Sequence, residues 1–378
     1  MKIAFFNNSI NHHQVYLADE LYKILGNDYV YIVTLPHNRI DLKGGEDYSS
    51  RPYCILAGDS KESHFKALQL AREADTCIFG ACSQEYAVER AKQPDSKLAF
   101  EVAERWLKHG WLTIGSPVFR RWLKNYFLYY RRKPFYKLCS SAFAAGDDEK
   151  MHVYVGRHFR WAYFSGYSGI VNVIPNKSRD IRIMWCARFM KYKHPELPIK
   201  MSNLLKQKNF HFTLDYYGTG EEEKKTKKLA DKLGLSDIVT FHGALPNKHI
   251  LNAMKEHDIL LFTSDKREGW GCVVNEAKSC GCCVVGGDEI GAIPYLVLHK
   301  INGMIYKSCS LESLVSSVEW LLTHTEELYE MRKNAKETIT RIWSAKNAAE
   351  NLLKLIDDLY NNRSCSVKEG PASIAPII

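Results

Sequence analysis

Two glutamates eight positions apart frame the stretch of the chain best suited to chemistry. Glu268 precedes a turn formed by Gly269, Trp270 and Gly271, and Glu276 follows inside a short predicted helix. Amide groups at the start of a helix can face an anion. A phosphate held there would have a carboxylate on either side, which suits a ligand with a diphosphate between two hydroxyl-bearing sugars. These residues alone equally fit a capped helix with two solvated glutamates.

A pair of cations is the second candidate. Arg188 and Lys193 are five positions apart in a loop that follows a predicted strand. Both side chains can converge there on one anion, although by themselves they fit two solvated loop cations better. Fixed cations can stabilise a departing diphosphate without a divalent ion, and no Asp-x-Asp pair is placed to hold one. The sequence therefore predicts no metal site.

Strands that alternate with helices must position these residues, and they occur in two series. Residues 1–165 and 181–343 predict two doubly wound α/β domains, joined by a linker at 166–180. A final helix is predicted at 344–363, followed by a disordered tail at 364–378. In such sheets ligands sit beyond the carboxyl ends of the strands.

The segment from Glu268 to Glu276 resembles the paired-glutamate signature of group 1 retaining glycosyltransferases with the GT-B fold. In that family the first glutamate faces the transferred sugar and the second hydrogen-bonds the ribose of the nucleotide. The spacing of Arg188 and Lys193 matches the family's diphosphate-binding pair, but His194 stands where a glycine commonly follows. The resemblance implies two Rossmann-like domains facing a cleft, with the C-terminal helix crossing back to the first domain.

Further segments match the family less specifically. The Tyr217–Gly220 segment, with Gly218, resembles a turn lining the nucleotide pocket, and His242 begins a segment like the loop beneath the base. A purely structural turn is the favoured alternative for both. In the first domain, His12, His13, Glu104 and Arg105 follow predicted strands and are candidates for acceptor binding. The two histidines lack a third zinc ligand at a recognisable spacing, and Glu104 and Arg105 equally fit a surface ion pair.

The implied function is transfer of a sugar from a nucleotide sugar, expected to be a UDP-sugar, without a cofactor. The resemblance is closest to bacterial transferases of capsular and exopolysaccharide assembly. The expected acceptor is therefore a glycan or a polyprenyl-linked saccharide. The leaving phosphate would take the acceptor proton, and the anomeric configuration would be retained. The rival within enzymes is a GT-B nucleotide-sugar epimerase, and a catalytically inactive scaffold is a further alternative.

Composition adds a prediction about location. The chain has eleven cysteines, no long apolar run and no recognisable export signal, so we expect a cytoplasmic protein with free thiols. Its net charge of +9 permits anionic partners without choosing among them. Residues 119–137 contain seven Arg or Lys, eight aromatic residues and no acid. We expect an interfacial helix on an anionic membrane, with one aromatic face containing Trp122, Tyr126, Tyr129 and Tyr130. The alternatives are a helix packed on the first domain and a basic nucleic-acid-binding protein, which would leave both charged pairs unexplained.

Overall fold

The chain forms two α/β units. A computed structural model describes residues 1–37, 46–95, 97–165 and 180–378. The first unit comprises residues 1–166 and 342–378, and the second comprises residues 167–341. Apart from Asp180, the predicted linker lies outside the described residues. Within the described ranges, no helix is both long and apolar enough to span a bilayer.

The first unit is built on a parallel sheet of seven strands in the order β3-β2-β1-β4-β5-β6-β7. Runs of apolar and β-branched residues favour these buried strands. The strands are β1 (Ile3–Asn7), β2 (Tyr29–Val33), β3 (Cys54–Leu56), β4 (Thr76–Phe79), β5 (Leu98–Ala103), β6 (Phe135–Cys139) and β7 (His158–Arg160). The helices are α1 (Val15–Leu25), α2 (Lys61–Glu73), α3 (Gln84–Ala91), α4 (Pro117–Asn125) and α5 (Ala144–Lys150).

The second unit repeats this arrangement with six parallel strands in the order β10-β9-β8-β11-β12-β13. Its strands are β8 (Ile181–Cys186), β9 (Phe212–Tyr217), β10 (Val239–Phe241), β11 (Ile259–Phe262), β12 (Cys283–Gly287) and β13 (Gly303–Tyr306). Its helices are α6 (Glu196–Gln207), α7 (Glu223–Lys232), α8 (Asn247–Glu256), α9 (Val273–Ser279), α10 (Ile293–Leu296), α11 (Leu311–Thr323) and α12 (Thr325–Glu337). The two doubly wound sheets confirm the predicted fold class.

The last helix, α13 (Ala345–Tyr360), belongs to the first unit, as the fold class predicts. The Ser344 hydroxyl caps its start by accepting a hydrogen bond from the Asn347 amide at 3.1 Å. The helix packs against α1, and the Tyr360 hydroxyl donates to the Asp75 carbonyl oxygen at 2.7 Å. The chain therefore returns to the first unit after completing the second.

The tail after this helix is ordered, so the prediction of disorder is wrong. The Arg160 amide donates to the Ser373 carbonyl at 2.7 Å, and the Ala372 amide donates to the Arg160 carbonyl at 2.8 Å. Ala375 is buried and its amide donates to the His158 carbonyl at 3.1 Å. The tail thus supplies partners to the outer edge of β7, which would otherwise present unpaired backbone groups.

The aromatic face predicted for residues 119–137 is also wrong, because it points into the first unit. Trp122, Tyr126 and Tyr130 are buried in the core of this unit, and only Tyr129 of the four predicted residues is exposed. The Trp122 indole donates to a Glu101 carboxylate oxygen at 2.8 Å. Burying each such ring stabilises the fold by roughly 1.5–3 kcal/mol, so this face packs in the core.

Candidate active site

Two candidate residues of the second unit, Lys193 and Glu268, meet where its strand order reverses. β8 and β11 are neighbours in the sheet, with Ile183 paired to Ile259, although α6 to α8 separate them along the chain. The loops that leave their carboxyl ends therefore start side by side. Such a reversal is where open α/β sheets bind ligands.

Lys193 and Glu268 form an ion pair at this position. The Lys193 Nζ contacts Glu268 Oε2, and the Ser264 hydroxyl donates to the same oxygen at 2.9 Å. Both charged side chains are largely buried, at 12% and 13% exposure. Residues predicted to contact the diphosphate and the sugar are therefore direct partners in this structure.

The core of the second unit holds this pair in place. The Trp185 indole of β8 donates to the Thr263 hydroxyl at 2.9 Å, and that hydroxyl donates to the Lys193 carbonyl at 2.7 Å. Trp185 is 1% exposed, so the chain of hydrogen bonds starts from a fixed side chain. The Lys193 backbone is thereby tied to the end of β11.

His194 joins the same two loops from the other side. Its backbone is in the left-handed region with φ +48°, which explains why glycine suits this position. The imidazole Nδ1 lies 3.2 Å from a Glu196 carboxylate oxygen, and Nε2 lies 3.2 Å from a carboxylate oxygen of Asp265. The Glu196 hydrogen bond and the Asp265 contact outweigh burial and raise the pKa of His194 above its ordinary value.

Arg188 lies exposed just beyond the end of β8. Its guanidinium makes no hydrogen bond or ion pair with any part of the chain that the structure describes. Gly218 packs beneath this loop, since a Cβ added to it would lie 2.0 Å from the Ala187 carbonyl oxygen. With its φ of +124°, this accounts for the glycine structurally. Whether Arg188 and Gly218 contact a donor stays a prediction.

Glu276 lies in the first turn of α9 and is almost fully buried, at 8% exposure. The Asn247 amide donates to its Oε1 at 2.9 Å. Burial outweighs this hydrogen bond and raises the pKa of Glu276 to about 7. The carboxyl group is therefore poised to change its charge near neutral pH.

The turn between the two glutamates is packed tightly. Trp270 is buried and its indole donates to Asn275 Oδ1 at 2.9 Å. Gly271 has φ +101°, and a Cβ there would lie 2.4 Å from the Phe262 ring. The helix begins at Val273, so Gly269 to Gly271 precede it as a separate turn. Their predicted contact with a nucleotide sugar remains a prediction.

His242 lies at the end of β10, away from the pair of Lys193 and Glu268 in sequence. Its Nε2 lies 2.6 Å from Asp215 Oδ1, and its ring stacks on Tyr217 with centroids 4.5 Å apart. His257 contacts the other Asp215 oxygen at 3.0 Å. Burial raises the pKa of Asp215, but the two histidine hydrogen bonds outweigh it and the net pKa is lowered. The Asp215 contact and the stacking on Tyr217 therefore hold the His242 ring in place just after β10.

In the first unit, the structure separates the four acceptor candidates. A cavity of about 520 Å³ lies where β1, β4 and β5 end, and His13 and Glu104 are among its lining residues. His12 and Arg105 do not line it. Arg105 instead binds both carboxylate oxygens of buried Asp147 at 3.1 Å, so the alternative of an ion pair between Glu104 and Arg105 does not occur among the described residues. Glu104 pairs with Lys108 and accepts from the Tyr163 hydroxyl at 3.3 Å.

Several residues of the second unit's site were not predicted. Ser264 and Asp265 lie two and three positions beyond the end of β11, so their place near a strand end was a usable signal. Asn247, which contacts Glu276, starts a helix 29 positions earlier in the chain and carried no local signal. Thr263 follows the predicted strand Ile259–Phe262, and Trp185 ends the predicted strand that begins at Ile181, so neither carried a signal of a role in the site.

Comparison with known proteins agrees with this architecture. Residues 170–338 match the family model "Glycosyl transferases group 1". An uncharacterized glycosyltransferase of Haemophilus influenzae is 28% identical over 153 residues, which cover 40% of this chain and 42% of that protein. The chain therefore spans less than half the length of this curated relative.

Two solved structures match nearly the whole fold. Anabaena Alr3699/HepE in complex with UDP has a TM-score of 0.66 at 16% identity, covering 95% of this chain and 100% of that one. The lipopolysaccharide outer core galactosyltransferase WaaB has a TM-score of 0.70 at 14% identity, with the same coverage. The fold is the GT-B fold, and the part of the chain that is similar to the group 1 glycosyltransferase model is residues 170–338.

Proposed function

We propose that this chain is a glycosyltransferase that uses a nucleotide sugar, with a UDP-sugar as donor. The observation that carries the proposal is the pairing of Lys193 with Glu268 at the strand-order reversal of a GT-B unit. Arg188 lies just after β8, and Glu276 lies in α9, the helix that follows β11 of the same sheet. The UDP complex of Alr3699/HepE supports the choice of base, because that protein shares the fold.

The ion pair gives each partner a role when a donor binds. Breaking the bond between the anomeric carbon and the phosphate oxygen develops positive charge on the sugar and negative charge on the diphosphate. Lys193 would turn from Glu268 to a phosphate oxygen, where Arg188 adds a second cation. Glu268, which keeps its hydrogen bond from Ser264, would accept a hydrogen bond from a hydroxyl group of the sugar. Glu276 would accept hydrogen bonds from the hydroxyl groups of the ribose.

The same arrangement favours retention without a metal. Two fixed cations neutralise the leaving group, so the transfer we propose uses neither a divalent ion nor a cofactor. The departing phosphate oxygen takes the proton of the acceptor hydroxyl on the face that it leaves. The new glycosidic bond then forms on that face, and the anomeric configuration is retained.

The proposed acceptor is a glycan or a polyprenyl-linked saccharide of bacterial surface-polysaccharide synthesis. The cavity of the first unit, with His13 and Glu104 in its lining, is the proposed acceptor region. We place the enzyme at the cytoplasmic face of the cell membrane. The role of WaaB in lipopolysaccharide outer core assembly supports this setting by analogy of fold.

A panel of nucleotide sugars tests the proposal. The full chain is incubated with each donor, with and without saccharide and lipid-linked acceptors, and released nucleotide is measured. We expect acceptor-dependent release with one donor, and an anomeric coupling constant in the product that matches the donor. Release of both the nucleotide and the free sugar without any acceptor would instead identify a nucleotide-sugar epimerase. No turnover of any donor would overturn the proposal.

A further inference from the structure

An exposed apolar turn in the first unit forms a surface that borders the proposed acceptor cavity, whose lining includes Val118. The 3-10 turn Gly110–Gly115 and the start of α4 present four large apolar side chains to solvent: Trp111, Leu112, Ile114 and Val118. Leu112 is 84% exposed and Trp111 is 56% exposed. Isolated exposed apolar residues are ordinary, but four within eight positions form a patch that marks an interaction surface.

The turn is held rigidly on the core. The Thr113 hydroxyl donates to the Trp106 carbonyl at 3.2 Å, and the Trp106 ring packs on Phe119 and Trp122 at centroid distances of 5.3 and 4.7 Å. The Ser116 hydroxyl caps α4, and Pro117 occupies its first turn. The apolar side chains therefore project from a fixed base, which lowers the entropic cost of binding through them.

Exposed cations without carboxylate partners follow this patch along the chain. Residues 105–146 include nine Arg or Lys and no acidic residue. Five of these cations are exposed and form no ion pair within the described part of the chain: Arg120, Arg121, Lys124, Arg131 and Arg132. The segment that follows α4 also exposes Phe127 and Leu128, and the Arg131 guanidinium lies 5.6 Å from the centre of the Phe127 ring. The outward face thus combines positive charge with apolar side chains.

We infer that the turn Gly110–Gly115 and the outward face of α4 form a docking surface for an anionic lipid bilayer. Aliphatic side chains such as Leu112 and Ile114 suit insertion among acyl chains, whereas a nucleic-acid surface would use aromatic stacking. The flanking cations suit anionic headgroups. This inference rests on the proposed function and adds to it the surface that would hold the first unit at the membrane.

The location differs from the one expected from sequence. Trp122, Tyr126 and Tyr130 are committed to the core and do not insert. Lys133 is also partly committed, because its Nζ lies 2.6 Å from Asp95 Oδ1. The inserting residues are instead the apolar side chains of the turn before α4.

Vesicle co-sedimentation of the full chain tests this surface. The probes are phosphatidylglycerol vesicles and neutral phosphatidylcholine vesicles at low salt. We expect wild type to sediment with the anionic vesicles only and to be released as salt is raised. The triple variant R120S/R121S/K124S should lose about fivefold in partitioning per cation removed. The variant W111S/L112S should lose at least tenfold.

A matched control lies on α2 of the same unit. K61S/F65S/K66S removes one exposed aromatic and two exposed cations there and should bind vesicles like wild type. The inference would be overturned if the wild type did not bind anionic vesicles. It would also be overturned if R120S/R121S/K124S and W111S/L112S bound them as well as the wild type does. Equal binding to neutral vesicles, or loss of vesicle binding when an oligonucleotide competes, would likewise overturn it. Transfer to a water-soluble saccharide is measured on every variant, so a failure of docking and a failure of the proposed transfer are distinguished.

Discussion

Glu268 is the carboxylate most directly linked to the proposed transfer, since it already shares a contact with Lys193. We expect Glu268→Ala to lower kcat by roughly 10²–10³-fold, because it removes the group nearest the reacting sugar and leaves the Lys193 charge unpaired. Initial rates at saturating donor measure this. Glu221→Ala, at an exposed position of the same unit, is the control and should be unchanged. If the Glu268→Ala enzyme were fully active, the assignment of Glu268 to the active site would be wrong.

Glu276 predicts a pH dependence of donor use. Its pKa of about 7 means that the carboxylate becomes a protonated acid as the pH falls below neutrality. Protonation removes acceptor capacity for the ribose hydroxyls, so kcat/KM for the donor should fall below about pH 7. Glu276→Gln should show weaker donor binding and should lack this titration. Identical pH profiles of kcat/KM in the two proteins would contradict the assignment.

Arg188 tests how the leaving group is stabilised. We expect Arg188→Ala to reduce turnover by about 100-fold or more, because a guanidinium no longer meets the diphosphate. Lys228→Ala, on an exposed face of α7, should have no effect. EDTA should leave wild-type activity unchanged. A strict requirement for Mg²⁺ or Mn²⁺ would show that an ion, and not the cation pair, carries this charge.

At the scale of elements, His194 holds the loop after β8 against the loop after β11. The pKa of His194 is raised by Glu196 and, more weakly, by Asp265, although burial opposes them. A histidine with a raised folded-state pKa contributes stability that is fully present below its unfolded value of about 6.5. This contribution is lost as pH rises through the folded pKa.

The variant His194→Gly separates this contact from the backbone requirement. At pH 6 it should lower the unfolding midpoint, because the imidazolium and its two carboxylate contacts are lost. At pH 9 the difference should shrink or reverse, because glycine adopts φ +48° without strain. Denaturant unfolding at the two pH values measures the effect. The exposed His249→Gln is a control that should show no pH-dependent difference.

At the scale of the whole molecule, the last 15 residues complete the first unit although they follow the second in sequence. Removing residues 364–378 uncovers the edge of β7 and takes away its backbone hydrogen bonds to Ala372, Ser373 and Ala375. We expect a loss of about 2–4 kcal/mol in the unfolding free energy of the first unit. Thermal unfolding of the truncated chain measures this, and an unchanged transition would contradict the ordered tail.

The limits of sequence reasoning appear most clearly in α4. Its apolar and basic pattern determined an amphipathic helix, because side chains three and four positions apart share a face. Aromatic residues occur on both faces, however, so the pattern did not decide which face meets the core. Contacts with distant residues decided it, because the Glu101 carboxylate accepts from the Trp122 indole and the Tyr154 backbone amide donates to the Tyr126 hydroxyl.

The sequence by itself determined most elements and the two-domain α/β fold, because strand and helix periodicity is local to a few residues. It also identified Glu268, Glu276, Arg188 and Lys193 as candidates through their spacing and family resemblance. Only the tertiary structure decided that Lys193 contacts Glu268, 75 positions away, and that Asn247 contacts Glu276. These contacts depend on strand order in the sheet, which brings together loops far apart in the chain and leaves no local signal.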